Sequence, residues 1–470
     1  MKISAEERTR RMGSENIPKL IILMSLPGIA GNVSSALYNI IARWFVGNFV
    51  GKDALGALAL LFPLSNLTSA LSLIATIGGA ALVSISLGRN DRKAADVYFT
   101  NILLYTALCG MILSFLYGFF APQLVNFCGA DQTSALFEPA VIYTRITAAG
   151  QIFLMFNQTL ACVIRAEGNT PYAMFSCIIG AVINTILCWL FIVVMGFDIR
   201  GAAYATVIGQ VISCFVSLAY FVAGKSGMRF AGFRTMKAAI VFKIIATGIA
   251  SSVLQGLTAV INIIANHQLS AYGVISLGTG GGDLAISAVS VINTVETLMI
   301  MIIMGINQGV SPVISYNYGC GNYGRVRKAT LFGQAEASAV TVIIWGLAMV
   351  FPQTLFAVFS GNDPQLMAYG PDAIHKSKMF LLFLGFQTLS SLYFSAIGKP
   401  KTAVCISVIR GAAFIIPLMY ILPLFMGLDG VLYASSVSDL LATAIVAVIY
   451  VKGIKKLRAA DPITEKGLIL

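Results

Sequence analysis

The sequence predicts an all-α polytopic membrane protein, twelve transmembrane helices arranged as two six-helix lobes related as parallel repeats. Three observations point to it. Apolar residues come in runs of twenty or more, the length that crosses a bilayer. Basic residues fall almost entirely on alternate connections between those runs. Three segments recur in the same order at a nearly constant spacing in the second half of the chain.

The runs lie near 17–46, 54–86, 95–120, 137–163, 170–195, 201–223, 239–268, 284–316, 330–358, 372–396, 402–425 and 429–451. Composition agrees, with 58% hydrophobic and 11% charged residues over 470 positions and a mean hydropathy of +0.86; a soluble domain carries about a quarter charged residues. No signal peptide precedes the first run, since residues 1–16 are polar and charged.

A net charge of +12 raises the possibility of nucleic acid as a partner, but its placement argues against one. The two ends and the even-to-odd loops hold 24 of the 31 Lys and Arg. The other side holds Lys52, Arg200, Lys376 and Lys378, and Arg43, Arg145 and Arg410 fall within spans. This is the positive-inside pattern, which predicts cytoplasmic termini. The eight cysteines form no CxxC pair and the two histidines, His267 and His375, are far apart, so neither a disulfide framework nor a metal site is expected.

"VSISLGRNDRKAA" at 83–95 matches "ISYNYGCGNYGRVRKA" at 314–329, aligning Ser84 with Ser315 and Gly88 with Gly319. "RAEGNTPYA" at 165–173 matches "SAIGKPKTA" at 395–403, and "GAAYATV" at 201–207 matches "GVLYASS" at 430–436. The chain therefore divides into an N-terminal segment 1–16, an N-lobe 17–223, a basic linker 224–238, a C-lobe 239–451 and a tail 452–470. Six spans per half is an even number, so both halves enter the membrane the same way, and the cleft between them is where a transporter of this plan binds substrate.

Nothing suggests an enzyme. The glycine-rich "LGTGGGDLA" at 277–285 lacks the GxxxxGK[ST] form of a phosphate loop, so no nucleotide or other cofactor is expected, and an ion gradient is the available energy source.

Along the spans, polar residues mark candidate sites. Pro27 and Pro312 interrupt the first and eighth spans, where lost helical hydrogen bonds permit bending. Gln151 and Asn157 on the fourth span, and Gln255, Asn262 and Asn266 on one face of the seventh, are candidates for lining a cavity or for packing against another helix. Glu296, with Asn293 one turn before it, sits mid-span in the eighth helix; it is a candidate for ion coupling or cation binding, or for a structural hydrogen bond. Arg410 and Asp439 on the last two spans could form a structural pair.

In combination, "GVSPVISYNYGCGNYGRVRKA", "RAEGNTPYAM", "GAAYATVIGQ" and "SAIGKPKTA" resemble the MATE family, the multidrug and toxic compound extrusion antiporters, and most of all its bacterial Mep-like branch, over about residues 15–455. The resemblance implies a V-shaped cavity between two lobes in the bacterial inner membrane. It also implies a protein that needs neither a cofactor nor a partner chain: a monomer exporting drug-like cations or amphipathic compounds in exchange for protons or sodium ions.

Similar proteins carry an aspartate in the first helix and another in the fifth. Here Tyr38 and Asn39 match the surrounding pattern, but the aspartate positions are Ala42 and Cys188, the latter four residues after a matching Asn184. Tyr143 and Thr206 match other polar members of that N-lobe network. A buried carboxylate can exchange a proton near neutral pH; alanine cannot, and burial takes a thiol out of that range. Coupling then lies elsewhere, or the chain is a coupling-deficient variant. Arg43, near the outer end of the first helix, either snorkels to the interface or has a buried partner. Three other classes stay open: a lipid-linked precursor flippase of the same superfamily, a major facilitator transporter, and a receptor-like derivative that binds without transporting.

Overall fold

The structure, a computed structural model, describes residues 5–128, 134–278, 281–360 and 364–459. The first and last residues of the N-terminal segment and tail, 1–4 and 460–470, and 279–280 of the glycine-rich connection lie outside the described residues. Eleven helices are long and apolar enough to cross a membrane, and a twelfth span is a bent pair. They are α1 Ile17–Val50, α2 Asp53–Gly88, α3 Arg92–Phe119, α4 Phe137–Ala166, α5 Thr170–Val194 and α6 Ile199–Val222 in one lobe. The other has α7 Ala238–Leu277, α8 Leu284–Gly319, α9 Tyr323–Val350, α10 Pro364–Ser377 with Leu381–Ala396, α11 Pro400–Met426 and α12 Leu428–Leu457.

Three spans differ most from the sequence reading. α9 covers Tyr323–Val350 rather than 330–358, and Pro352–Ser360 forms a separate helix. α7 runs to Leu277, because "AYGVISL" continues the apolar helix past the polar "NHQLS". α10 is not one straight span: its two parts meet at 52°. The break falls at Lys378, a residue too polar to face lipid, and turns it into the lobe.

The repeat is written in the backbone as well as the sequence. Left-handed residues occur at Asn90 and Gly321, at Gly168 and Gly398, and at Gly196 and Gly427, with φ of 59° and 76°, 80° and 70°, and 67° and 58°. Each pair closes the same turn in the two lobes. Glycine takes this conformation without strain, and asparagine is among the side chains that tolerate it.

Small residues bring the lobes together. A Cβ on Gly28 of α1 would meet the carbonyl oxygen of Gly305 on α8 at 2.5 Å, and one on Gly309 would meet the Ser25 nitrogen at 2.5 Å. A Cβ on Gly78 of α2 would meet the Gly248 nitrogen of α7 at 2.5 Å. Without a hydrophobic driving force between helices in lipid, such close backbone approach is what packing can use. The polar Asn32 joins this seam, donating to the Met301 carbonyl and accepting from Gln308 Nε2, both at 3.3 Å.

A short helix, Ala5–Ser14, lies across the face of the bundle that carries the chain ends and ties both lobes. Arg8 donates to Tyr220 Oη at 2.9 Å and to the Lys225 carbonyl at 2.7 Å. From the other lobe, Asn317 Nδ2 donates to the Met12 carbonyl at 2.9 Å and Arg325 to the Glu15 carbonyl at 2.7 Å.

Candidate functional site

Between the lobes lies a cavity of about 390 Å³, continuous with a second of about 380 Å³ inside the N-lobe; Ser35, Ser69, Asn157, Gln158 and Cys177 line both. Such volumes suit a drug-sized ligand. Pro27 and Pro312, the two span-interrupting prolines, face the inter-lobe cavity from α1 and α8. The Gly28–Gly305 and Gly88–Gly319 approaches lie toward the face that carries the chain ends.

The N-lobe cavity gathers the polar network that the sequence pointed to. Tyr38, Asn39, Tyr143, Asn184 and Thr206 all line it. Asn184 Nδ2 donates to Thr206 Oγ1 at 3.4 Å, and Cys188 Sγ lies 3.7 Å from Asn184 Oδ1. Ala42 packs on the same apolar cluster as the buried Cys188. No carboxylate lines this cavity among the described residues. Arg43 is exposed, as a side chain reaching the interface would be.

Gln151 is buried in the N-lobe cavity, where its Oε1 accepts from Thr68 Oγ1 at 3.1 Å. Asn157 is buried on both cavities and accepts from Ser217 Oγ at 2.7 Å. The helix-7 stripe separates. Gln255 lines the inter-lobe cavity and bonds Asn66 Oδ1 across the lobes at 3.2 Å, whereas Asn262 and Asn266 are exposed and line neither cavity. One helical face is long enough to run past the cavity, so spacing alone overcounts lining residues.

In the C-lobe, Glu296 is held by Lys378 Nζ, which the α10 break carries to it. Arg410 and Asp439 lie near enough to act on this pair electrostatically, so four charges form one group, with Lys378 buried and the other three half-buried. Gln387 Nε2 fixes the adjoining stretch of α12 through the Asp439 carbonyl at 3.0 Å and Thr443 Oγ1 at 2.7 Å. Asn293 is half-buried one turn away and makes no side-chain bond to the pair. Lys378, counted from sequence with the loop charges, is instead 8% exposed and the partner of Glu296. Only the polar break in an apolar span could have signalled this.

Arg165 is the second correction. Counted with the loop after the fourth span, it is 9% exposed and lines the inter-lobe cavity. Glu167, two residues on, turns the other way and accepts from Ser226 Oγ and the Gly227 nitrogen at 2.8 Å and from the Met228 nitrogen at 3.2 Å. Glu336, for which the sequence suggested no role, accepts from Ser25 Oγ at the α1–α8 seam at 3.4 Å. No cluster of His, Cys, Asp and Glu fit for a metal ion occurs among the described residues.

The MatE family model matches residues 27–190 and 258–421, one match per lobe. The chain is 23% identical over 427 residues to the multidrug export protein MepA of Staphylococcus haemolyticus, covering 90% of this chain and 91% of that one. It is 25% identical over 378 residues to the probable multidrug resistance protein YpnP of Bacillus subtilis, covering 79% and 80%. Among solved structures, the outward-facing conformation of a multidrug resistance MATE family transporter of the MOP superfamily superposes with a TM-score of 0.87 at 22% identity, over 95% of this chain and 98% of that one.

Proposed function

The chain belongs to the MatE family of transporters, and from that premise we propose that it is a secondary active multidrug exporter of the bacterial cell membrane, working by alternating access as a monomer. The N-lobe 17–223 and C-lobe 239–451 rock about the linker 224–238, and both termini are cytoplasmic, as the charge distribution favours. The observation that carries this reading is the cavity between two repeat lobes, flanked at one end by glycine-mediated approaches that a modest rotation could part. The curated relatives named for multidrug export support the substrate class.

Coupling to protons or sodium ions is assigned to the C-lobe. Ala42 and Cys188 leave the N-lobe network of Asn39, Tyr143, Asn184 and Thr206 without an ionisable carboxylate, whereas Glu296 and Asp439 share a largely buried charge group with Lys378 and Arg410. An ion that neutralises one carboxylate would release Lys378 and so change the balance between two packings of α8 and α10. Asn293, half-buried beside Glu296, is a further polar ligand for such an ion.

The test uses proteoliposomes loaded with ethidium or carboxyfluorescein under imposed pH and sodium gradients. Gradient-dependent efflux of either dye, lost in E296Q and D439N, is the expected result. Binding without flux under every gradient would instead identify a receptor-like protein, and flux that survives both substitutions would remove coupling from the C-lobe.

A further inference from the structure

We infer that the inter-lobe cavity binds amphipathic organic anions, through Arg165, rather than cations. The inference rests on the transporter reading for its biological sense but not for its geometry. Among the residues lining the two cavities, Arg165 is the one charged side chain, and no carboxylate lines either. Among the described residues it has no ion-pair partner. The nearest carboxylate along the chain, Glu167, is already engaged by Ser226 and the 227–228 backbone.

An arginine nine-tenths buried and unmatched by an acid is costly once the cavity is occluded from water. A bound carboxylate, sulfonate or phosphate removes that cost, and the guanidinium fork presents paired N–H donors to it. Two residues that line this cavity each carry a buried polar atom without a hydrogen-bond partner: Ser84 Oγ, on the N-lobe, and Asn307 Oδ1, on the C-lobe. A change of rotamer would turn the Ser84 hydroxyl toward an anion as a donor. Asn307 can turn its amide to donate as well, since the two ends of the group are near equivalent in shape. The wall mixes neutral polar side chains such as Asn32, Gln158 and Gln308 with apolar, compliant ones, Leu73, Met174 and Met304, and the latter suit a varied hydrophobic body attached to the charged group. A cation would meet neutral acceptors here together with the repulsion of Arg165.

Equilibrium binding to the full-length protein in detergent, read by fluorescence anisotropy, tests the inference without any gradient. Carboxyfluorescein is the anionic probe and ethidium the cationic one. Carboxyfluorescein should bind more tightly than ethidium, and R165Q should weaken it by about tenfold or more while leaving ethidium no weaker. R165K, which keeps the charge and loses the fork, should fall between and serves if R165Q does not fold. Tighter binding of ethidium by the unmodified protein, or carboxyfluorescein binding unchanged in R165Q, would overturn the inference. Charge-selective binding with no flux would sink the exporter reading alone, and dye efflux in which carboxyfluorescein export is unaltered by R165Q would sink this inference alone.

Discussion

Gly88 and Gly319, 231 residues apart in the chain and equivalent in the repeat, pack directly against one another at the end of the molecule that carries the chain ends. A Cβ on Gly319 would lie 3.1 Å from Gly88 Cα and would strike the Ile85 carbonyl; one on Gly88 would strike the Tyr316 carbonyl. Ile85 and Tyr316 are themselves repeat equivalents, so the contact is self-complementary, as in a two-fold dimer. A seam built this way has no slack for a methyl group.

Gly88→Val or Gly319→Val should therefore part the two lobes at this end. Overpacking of this kind costs about 1–3 kcal/mol, enough to shift a two-state population severalfold. Spin labels at the exposed Lys93 and Lys328, in a background without other cysteines, should report a longer separation in either variant. An unchanged distance distribution would mean that the seam does not set the resting conformation.

The N-terminal helix is the second device at this end. Arg325 donates to Asn317 Oδ1 at 3.1 Å, to the Met12 carbonyl at 3.3 Å and to the Glu15 carbonyl at 2.7 Å. Arg325→Gln should release the C-lobe side of Ala5–Ser14. Hydrogen bonds from a charged donor contribute about 1.5–3 kcal/mol, so amide exchange in this helix should quicken by about tenfold or more. Exchange in the buried Val313–Gly319 stretch of α8 should change far less.

How far the sequence carried this fold depends on what each residue type must do in a bilayer. Span length, loop charge and the repeat follow from solvation, and the twelve spans appear in the structure with one of them bent. Tyr38, Tyr143, Asn184 and Thr206, singled out through the family resemblance, line one cavity. Arg165 and Lys378 were misplaced because a basic residue near a span end reads as a loop charge whether it faces water or a cavity; its rotation about the helix is set by tertiary packing. Asn262 and Asn266 failed for the converse reason, that a helical face has no mark where a cavity stops.

Glu167 allows a pH prediction outside the spans. Its burial, opposed by hydrogen bonds from Ser226 and Gly227, holds its carboxyl above the ordinary value of 4.5. The native state therefore binds a proton more tightly than the unfolded chain does. The stabilising contribution is complete below pH 4.5 and is lost as pH rises through the raised value. Glu167→Gln cannot titrate, so as pH rises above 4.5 and through the raised value the melting temperature of the unmodified protein should fall relative to that of the variant. Parallel melting profiles would show that Glu167 titrates alike in both states.

The last prediction concerns Ala42 and Cys188, the two positions where the family resemblance implies aspartates. Cys188 is buried beside Asn184, and Ala42 packs on the same cluster. Ala42→Asp with Cys188→Asp places two carboxylates in a cavity already lined by Tyr38, Tyr143 and Thr206, whose hydroxyls can donate to them. If coupling resides in the C-lobe, the unmodified chain exports dye under a gradient and the double variant gains a second titrating site, so its pH dependence of efflux should change while E296Q continues to abolish flux in both backgrounds. If the unmodified chain is inert and the double variant exports dye, the N-lobe is the coupling site and the C-lobe charges are structural. Measuring both backgrounds in one liposome preparation separates the two, because the Glu296–Lys378 pair is unaltered in each.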